Sequence, residues 1–194
     1  MSIFNTFFRF TLAFSFFFIS FALIAEPTLE EVVVSARKVD ESVQDVPIAM
    51  SVFTSNDISD AGIERPEDFI ALTPNVVMAN TVNVGDTLVT IRGLTSTRDA
   101  ESNFAFVVDG VLQTNPNAFN RELLDIAQIE VLKGPQGALY GRNATSGAIL
   151  ITTKTPSEES ESTAVVGMGI NNASKLQYVN SGKMGDNVYT RFSV

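Results

Sequence analysis

The 194-residue sequence contains no cysteine, no histidine and no tryptophan. Without cysteine and histidine, the chain cannot form a thiolate nucleophile, a Cys/His zinc site or a Ser-His-Asp triad. Basic residues are also few, 13 against 22 acidic ones, which leaves a net charge of −9. A nucleic-acid partner requires clustered lysine and arginine. The composition therefore argues against nucleic-acid binding, and no motif predicts an enzyme, a cofactor or a metal site.

The chain is organised around residues 129–152, a stretch in which glycines recur so often that no long run is free of them. The stretch begins and ends with apolar runs of β type. Between these runs, no helix longer than a turn or two can fit among the glycines, which are Gly134, Gly137, Gly141 and Gly147. A phosphate-binding loop requires Gly-Lys-Ser/Thr at its end, whereas Lys133 here precedes the glycines. The stretch is predicted to form a strand, a turn-rich connector and a second strand.

Residues 1–25 have the layout of a secretory signal peptide. Nine of the fifteen phenylalanines lie here, and the only charged residue, Arg9, precedes an apolar run. A charged start, an apolar middle and a small residue such as Ala25 at the exit are typical of such peptides. An uncleaved membrane anchor is the alternative, because about 20 apolar residues can span a bilayer. The acidic, turn-forming pair Glu26-Pro27 that follows favours the signal peptide.

The next segment, which we call the leader, consists of Glu30, Glu31, Val32, Val33, Val34, Ser35 and Ala36. Its three consecutive valines favour an extended chain. Because no apolar partner lies nearby and charged residues follow, we expect its main-chain groups to be unpaired. Such a segment is suited to adding as a strand to the sheet edge of another protein. The alternative is an ordinary first strand of the following domain.

Further strands are predicted from apolar runs after residue 46. Ile48, Met50 and Val52 alternate onto one face, which predicts a half-buried strand. Two more strands are predicted over residues 76–79 and 88–92. The pair Asp109-Gly110 between apolar runs predicts a tight hairpin.

Three short helices are predicted between these strands. Ser55 can cap a helix that ends at Asp60, and Pro66 can begin one that continues over residues 67–72. Asn120 can cap a helix over residues 121–125.

The segment after Pro156 changes character, because a polar linker leads into three runs of strand type over residues 163–170, 176–181 and 187–194. In the last run apolar and polar residues alternate, which is typical of membrane barrel strands. Three strands cannot cross a membrane as an open sheet, since their edges would leave main-chain groups without partners in lipid. We therefore expect the chain to be a fragment or a truncated product that does not transport anything by itself.

Several motifs occur in an order that resembles the plug domain of TonB-dependent outer-membrane receptors. They are Val46-Pro47-Ile48-Ala49 with Asp57-Ile58, Leu72-Thr73-Pro74-Asn75-Val76, Ile91-Arg92-Gly93, Val108-Asp109-Gly110-Val111 and the stretch from Ile129 onward. The resemblance covers about residues 30–156. It implies an α+β fold: a plug domain with a small mixed β-sheet and short helices, followed by the first strands of an incomplete transmembrane β-barrel. The implied divisions are 1–25 signal peptide, 26–45 TonB box and flexible leader, 46–156 plug, and 157–194 start of the barrel.

The resemblance also implies a function, namely energy-coupled uptake of a scarce nutrient across the outer membrane of a Gram-negative bacterium. The ligand it implies is a small molecule such as a ferric siderophore, with cobalamin, haem or a glycan as alternatives. The leader resembles a TonB box, which the periplasmic C-terminal domain of TonB captures by strand addition. Arg92 and Lys133 correspond to residues that contact barrel glutamates in such receptors. Arg92 can make a bidentate bond there, whereas Lys133 offers only a point charge where the family often has arginine.

Two other functions remain open from the sequence. One is a standalone periplasmic module, a plug without a barrel that binds TonB or a ligand. The other is a carboxylate hydrolase that uses residues such as Asp57 and Asp109, but no spacing groups these residues.

Overall fold

The computed structural model describes residues 31–80, 87–97, 100–115, 119–169 and 174–194. The elements given below belong to one compact unit, Val32–Val194. The predicted signal peptide and Glu30 of the leader lie outside the described residues. No helix in the described ranges is long and apolar enough to span a bilayer.

The elements of this unit are short strands with a few helical turns between them. In chain order they are β1 (Val33–Val34), β2 (Glu41–Ser42), β3 (Met50–Thr54), α1 (Ser55–Asp60), α2 (Pro66–Ala71), β4 (Val76–Asn80), β5 (Thr87–Ile91), β6 (Leu94–Thr95), β7 (Phe104–Val108), β8 (Val111–Gln113), β9 (Ile126–Lys133), α3 (Gly137–Tyr140), β10 (Gly147–Thr153), β11 (Glu161–Met168), β12 (Ser174–Gly185) and β13 (Val188–Ser193).

A five-stranded mixed sheet, with the order β3-β9-β10-β7-β8, forms the centre of the fold. The pair β10–β7 is parallel, and the other neighbours are antiparallel. The glycine-rich stretch supplies β9, the connector and β10, and α3 is the single helical turn within the connector. The small mixed sheet with short helices that the family resemblance implies is therefore confirmed.

Each face of the central sheet carries its own apolar cluster, because successive strand residues point to opposite faces. Ile129 and Val131 of β9 pack with Phe69 of α2 in the larger cluster. Leu132 of β9 and Leu150 of β10 face the other way, into a smaller cluster. We call the side of the sheet with the smaller cluster the leader face, because Val34 and Ala36 complete that cluster.

The hairpins follow the predicted turn chemistry. Asp109 and Gly110 both have positive φ, 48° and 79°, as a two-residue turn of the tight hairpin type requires, and they join β7 to β8. The predicted strands over residues 76–79 and 88–92 are β4 and β5, which form a separate antiparallel sheet with β6.

Two of the three predicted helices are present, and one prediction is wrong. Thr54, not Ser55, caps α1, and its hydroxyl and amide exchange hydrogen bonds with Asp57. Pro66 begins α2, as predicted. Residues 121–125 are not helical, because the amide of Leu123 bonds to the carbonyl of Glu64 and Asp125 has a left-handed φ of 56°.

Strands β11, β12 and β13 form a third sheet, an antiparallel meander over the region in which three strands were predicted. One face carries exposed side chains that are mainly apolar, among them Val166, Met168, Leu176, Tyr178 and Phe192. The opposite face carries the more polar set Glu161, Thr163, Lys175, Gln177, Ser181 and Arg191. We call the first the outer face and the second the inner face.

Candidate functional site

The leader is paired with the chain that follows it, so the prediction of unpaired main-chain groups is wrong. Val33 and Val34 pair antiparallel with Ser42 and Glu41, and the amide of Val43 donates to the carbonyl of Val32 at 3.0 Å. A turn closed by the amide of Lys38 and the carbonyl of Ser35 joins the two strands. The charged residues after the leader, which predicted a solvated segment, form this turn, and the partner strand lies directly beyond it.

The leader also contributes to the apolar core. Val34 is 1% exposed and Ala36 is fully buried, and both pack in the cluster of the leader face with Val107 and Leu150. Val33 points away and is 48% exposed. The leader is thus a docked strand outside the central sheet, which is close to the alternative interpretation of a first strand of the domain.

Three side chains, two from β9 and one from α3, form hydrogen bonds with the main chain of the leader. The amide nitrogen of Gln128 donates to the carbonyl of Val33 at 3.0 Å. One carboxylate oxygen of Glu130 accepts from the amide of Ser35 at 3.1 Å and from its hydroxyl at 3.4 Å. The hydroxyl of Tyr140 donates to the carbonyl of Ala36 at 2.8 Å. The leader is therefore fixed by polar side chains as well as by its buried valine and alanine.

Sequence reasoning missed these three side chains, although two of them carry a signal. Gln128 and Glu130 are polar residues at alternate positions of β9, on the same side as the buried Leu132. Polar side chains that face a core need hydrogen-bond partners. Their spacing therefore indicates that hydrogen-bonding groups lie over this side of the strand, but it does not identify the segment that supplies them.

Glu130 is a buried carboxylate with one unsatisfied oxygen. Its side chain is 2% exposed, and its second carboxylate oxygen is buried without a hydrogen-bond partner. Burial raises the pKa of the Glu130 carboxyl, and the hydrogen bonds from Ser35 partly offset this effect. Burial and the negative charge of Glu130 raise the pKa of the neighbouring Tyr140 to about 12, so this phenol remains a donor at neutral pH.

A Glu130→Gln variant is expected to change how stability depends on pH. Because burial raises the folded-state pKa of Glu130 above its ordinary value of 4.5, the folded chain holds this proton more tightly than the unfolded chain does. The free energy of unfolding of the wild type should therefore fall, relative to Glu130→Gln, as the pH rises from about 4.5 through the raised pKa. Urea unfolding at a series of pH values measures this difference.

A matched Ser35→Ala variant sharpens that pH experiment. It removes the hydroxyl donor that lowers the pKa of Glu130, so the fall in stability with rising pH should become larger than in the wild type. A wild-type free energy of unfolding that increased with pH relative to Glu130→Gln would contradict the assignment of Glu130 as a destabilised carboxylate.

Arg92 and Lys133, the two predicted barrel contacts, lie near one another. Arg92 is exposed, follows β5 and has a positive φ of 50°. Its guanidinium passes over Gly134, the residue after Lys133, so closely that a Cβ at Gly134 would be 2.9 Å from it. The ammonium group of Lys133 donates to the hydroxyl of Ser51 at 3.1 Å. A contact of either residue with barrel glutamates stays a prediction.

Other residues join the β11–β13 sheet to the central region. Arg191 of β13 makes a bidentate ion pair with Asp125, whose second hydrogen bond measures 2.7 Å, and both side chains are about 90% buried. Lys175 pairs with Glu64 at 2.7 Å, in a more exposed place. In both contacts the acidic residue precedes the β11–β13 sheet in the chain and the basic residue lies on the inner face of that sheet. The prediction for Arg92 and Lys133 has the charges the other way round, with the basic residue on the plug.

The fold and the site define a small mixed-sheet domain that carries a docked N-terminal leader on one face and is joined by an ion pair to a separate meander. The family model of the TonB-dependent receptor plug domain matches residues 42–148. The chain belongs to this family of TonB-dependent receptors, and the fold class predicted from the sequence is confirmed.

Individual relatives agree with this assignment. The pesticin receptor of Yersinia enterocolitica is 31% identical over 132 residues, which are 68% of this chain and 19% of the relative. The vitamin B12 transporter BtuB of Vibrio vulnificus is 28% identical over 85% of this chain and 27% of its own length. The structure of the ferric yersiniabactin uptake receptor FyuA from Yersinia pestis matches with a TM-score of 0.70 and 26% identity, over 75% of this chain and 23% of that one. The chain thus spans about a fifth to a quarter of the length of these relatives.

Proposed function

We propose that the chain is the plug and the first wall strands of an outer-membrane receptor that imports a scarce small-molecule nutrient with energy supplied through TonB. The observation that carries this proposal is the leader, a two-residue strand that lies outside the central sheet and precedes a plug-family domain. A short strand with few main-chain partners can be removed without breaking the central sheet. This arrangement suits a segment that another protein captures by strand addition.

The proposed partner is the periplasmic C-terminal domain of TonB, and the proposed capture segment is residues 30–36. In strand addition the main-chain hydrogen bonds at one edge of the added strand supply the affinity. The affinity of TonB for the leader should therefore depend on its backbone donors and acceptors more than on the identity of its side chains. The sequence of the leader can then vary as long as the chain remains extended. The signal peptide over residues 1–25 would bring the chain into the compartment that contains this partner.

The meander β11–β13 supports the receptor over the standalone periplasmic module. Its outer face is mainly apolar and includes Val166, Leu176 and Phe192, which are each at least 60% exposed. Its inner face is more polar and is joined to the central region by the pair Asp125–Arg191. Apolar side chains toward lipid and polar ones toward the interior are what a transmembrane barrel wall requires. A module without a barrel gains nothing from such a surface.

A ferric siderophore is the ligand we propose, with cobalamin, haem or a glycan as alternatives. In support, the relatives include a catecholate siderophore receptor of Escherichia coli and a ferric yersiniabactin uptake receptor. A vitamin B12 transporter is also among them, which keeps cobalamin as an alternative. In the complete receptor, Arg92 and Lys133 would face carboxylates of the barrel wall, with Arg92 as the bidentate partner.

Binding of the TonB C-terminal domain to the purified chain tests the proposed function. Val33→Pro removes the Val33 amide donor, while Val33 is half exposed and contributes little to the core. We expect it to weaken binding roughly tenfold, the order of one lost main-chain hydrogen bond. Isothermal titration of the wild type and the variant measures the change.

Val33→Thr is the matched control for this titration. It keeps the amide donor and the β-branched shape and changes only the exposed side chain, so binding should stay close to that of the wild type. An equal loss in Val33→Thr and Val33→Pro would show recognition of the side chain instead of strand addition. No binding by the wild-type chain or by a synthetic leader peptide would refute the proposed function.

A further inference from the structure

Both edges of the docked leader are occupied. In an extended chain, alternate residues present their main-chain groups to opposite edges. The carbonyl of Val32 accepts from Val43, so residues 32 and 34 face the β2 side. Residues 33 and 35 therefore face the other edge, where the carbonyl of Val33 and the amide of Ser35 are bound. A partner strand needs one free edge, and the docked leader offers none.

The groups at the second edge are side chains and not a strand. Gln128 donates to the carbonyl of Val33, and Glu130 accepts from the amide of Ser35. The two residues are separated by two positions on β9, and so are the two leader residues that they bind. Because both chains are extended, the spacings match at about 6.6 Å. Gln128 also donates to Glu130 at 3.3 Å, which links the two into one unit.

We propose that Gln128 and Glu130 are positioning residues that imitate a neighbouring strand, cover the 33/35 edge of the leader and so hold back its capture by TonB. This inference rests on the proposed function and names the side chains that control access to its capture segment. Release of the two side chains frees the carbonyl of Val33 and the amide of Ser35 for a partner strand. We call Gln128 and Glu130 together the clamp, which is closed while they bind the leader and open once they release it. Only the fraction of chains with an open clamp can bind TonB, and the apparent affinity is lowered by that fraction.

The chemistry of Glu130 fits a contact that has to open. Glu130 is 2% exposed, yet one carboxylate oxygen accepts the hydrogen bonds from Ser35 and Gln128 while the other is buried without a partner. A buried carboxylate left half-satisfied is costly, and an apolar side chain at this place would pack without that cost. Gln128 and Glu130 therefore bind the leader through directional hydrogen bonds to its main chain. The cost of desolvating the Glu130 carboxylate offsets part of the free energy gained from these bonds.

The test compares the affinity of the TonB C-terminal domain for the whole chain with its affinity for a synthetic peptide of residues 29–39. The peptide has no clamp, so it should bind more tightly than the wild-type chain. In the Gln128→Ala/Glu130→Ala double variant, the affinity of the chain should rise about tenfold toward that of the peptide, which corresponds to about 1.4 kcal/mol. The exposed Glu101 is bound to Asn143 and paired with Arg142, so Glu101→Ala is the matched control that should leave the affinity unchanged.

A second readout separates the clamp from general loss of stability. Gln128→Ala alone removes the half-buried donor to the Val33 carbonyl and keeps Glu130, so the domain should still fold. Loss of this bond should loosen the leader and so raise hydrogen exchange at the amide of Ser35. Exchange in β9 and β10 should not change. If the peptide binds and the wild-type chain binds equally well, the clamp is refuted and the proposed function stands. If the peptide does not bind, the proposed function and the clamp both fall. Unchanged affinity and unchanged Ser35 exchange in the clamp variants would also overturn the inference.

Discussion

Gly147→Ala is expected to lower the free energy of unfolding by about 3 kcal/mol or more, the upper range for overpacking in a core. A Cβ at Gly147 would lie 2.3 Å from the carbonyl oxygen of Leu132 and 3.2 Å from the Cδ1 atom of Ile91. The first of these atoms belongs to the backbone of β9, which is held between β3 and β10 and cannot move away. Urea unfolding followed by circular dichroism measures the loss.

Gly137→Ala is the matched control, from the same glycine-rich stretch. No atom lies within 4 Å of a Cβ at Gly137, which begins the helical turn α3. Alanine is favoured over glycine in helices, so the free energy of unfolding should stay constant or rise by up to about 1 kcal/mol. Equal losses for the two variants would show that the stretch is sensitive to any substitution, and the assignment of Gly147 to a close backbone contact would be wrong.

Arg191→Ala is expected to separate the β11–β13 meander from the central sheet, at a cost of about 3 kcal/mol. The variant leaves the carboxylate of Asp125 buried and unpaired, and this cost exceeds the net value of the ion pair itself. Hydrogen exchange in β13 and limited proteolysis between residues 154 and 160 measure the detachment. Both should increase, while exchange in β9 and β10 should not change.

Lys175→Ala provides the comparison for an exposed pair on the same sheet. The side chains of Lys175 and Glu64 are 32% and 54% exposed, so solvent screens their attraction and its loss should cost at most about 1 kcal/mol. If Lys175→Ala loosened the meander as much as Arg191→Ala, the attachment would not depend on the buried pair. If neither variant changed exchange in β13, the meander would be held by other contacts.

Local patterns predicted the strands and turns of the central sheet well because the causes of these elements are local. The Asp109-Gly110 turn requires two residues that tolerate positive φ, and the apolar runs around it supply the strands. The glycines between β9 and β10 allow only one helical turn, and one turn is present. By contrast, Asn120 offered a helix cap, but the segment after it is bound to Glu64 and turns sharply at Asp125.

The candidate site was less predictable because its contacts join distant parts of the sequence. Ser35 and Glu130 are 95 positions apart, and Asp125 and Arg191 are 66 apart. Neither the valines of the leader nor the polar residues of β9 indicate their partners by spacing. The leader was expected to be free because the charged residues after it are hydrophilic, yet those residues form the turn that returns the chain to pair with it.

Disulfide trapping between the leader and TonB is the most direct test of the claim that residues 30–36 are captured as a strand. The chain has no cysteine, so Val33→Cys introduces a single thiol at a half-exposed position of the leader. Opposed residues of paired strands have Cβ atoms close enough for a disulfide. Val33→Cys should form a disulfide with single cysteines at alternate positions of an edge strand of TonB. The control Val111→Cys, at a more exposed position on β8, should not. Failure of Val33→Cys to form a disulfide at any position, or equal trapping by Val111→Cys, would contradict the account.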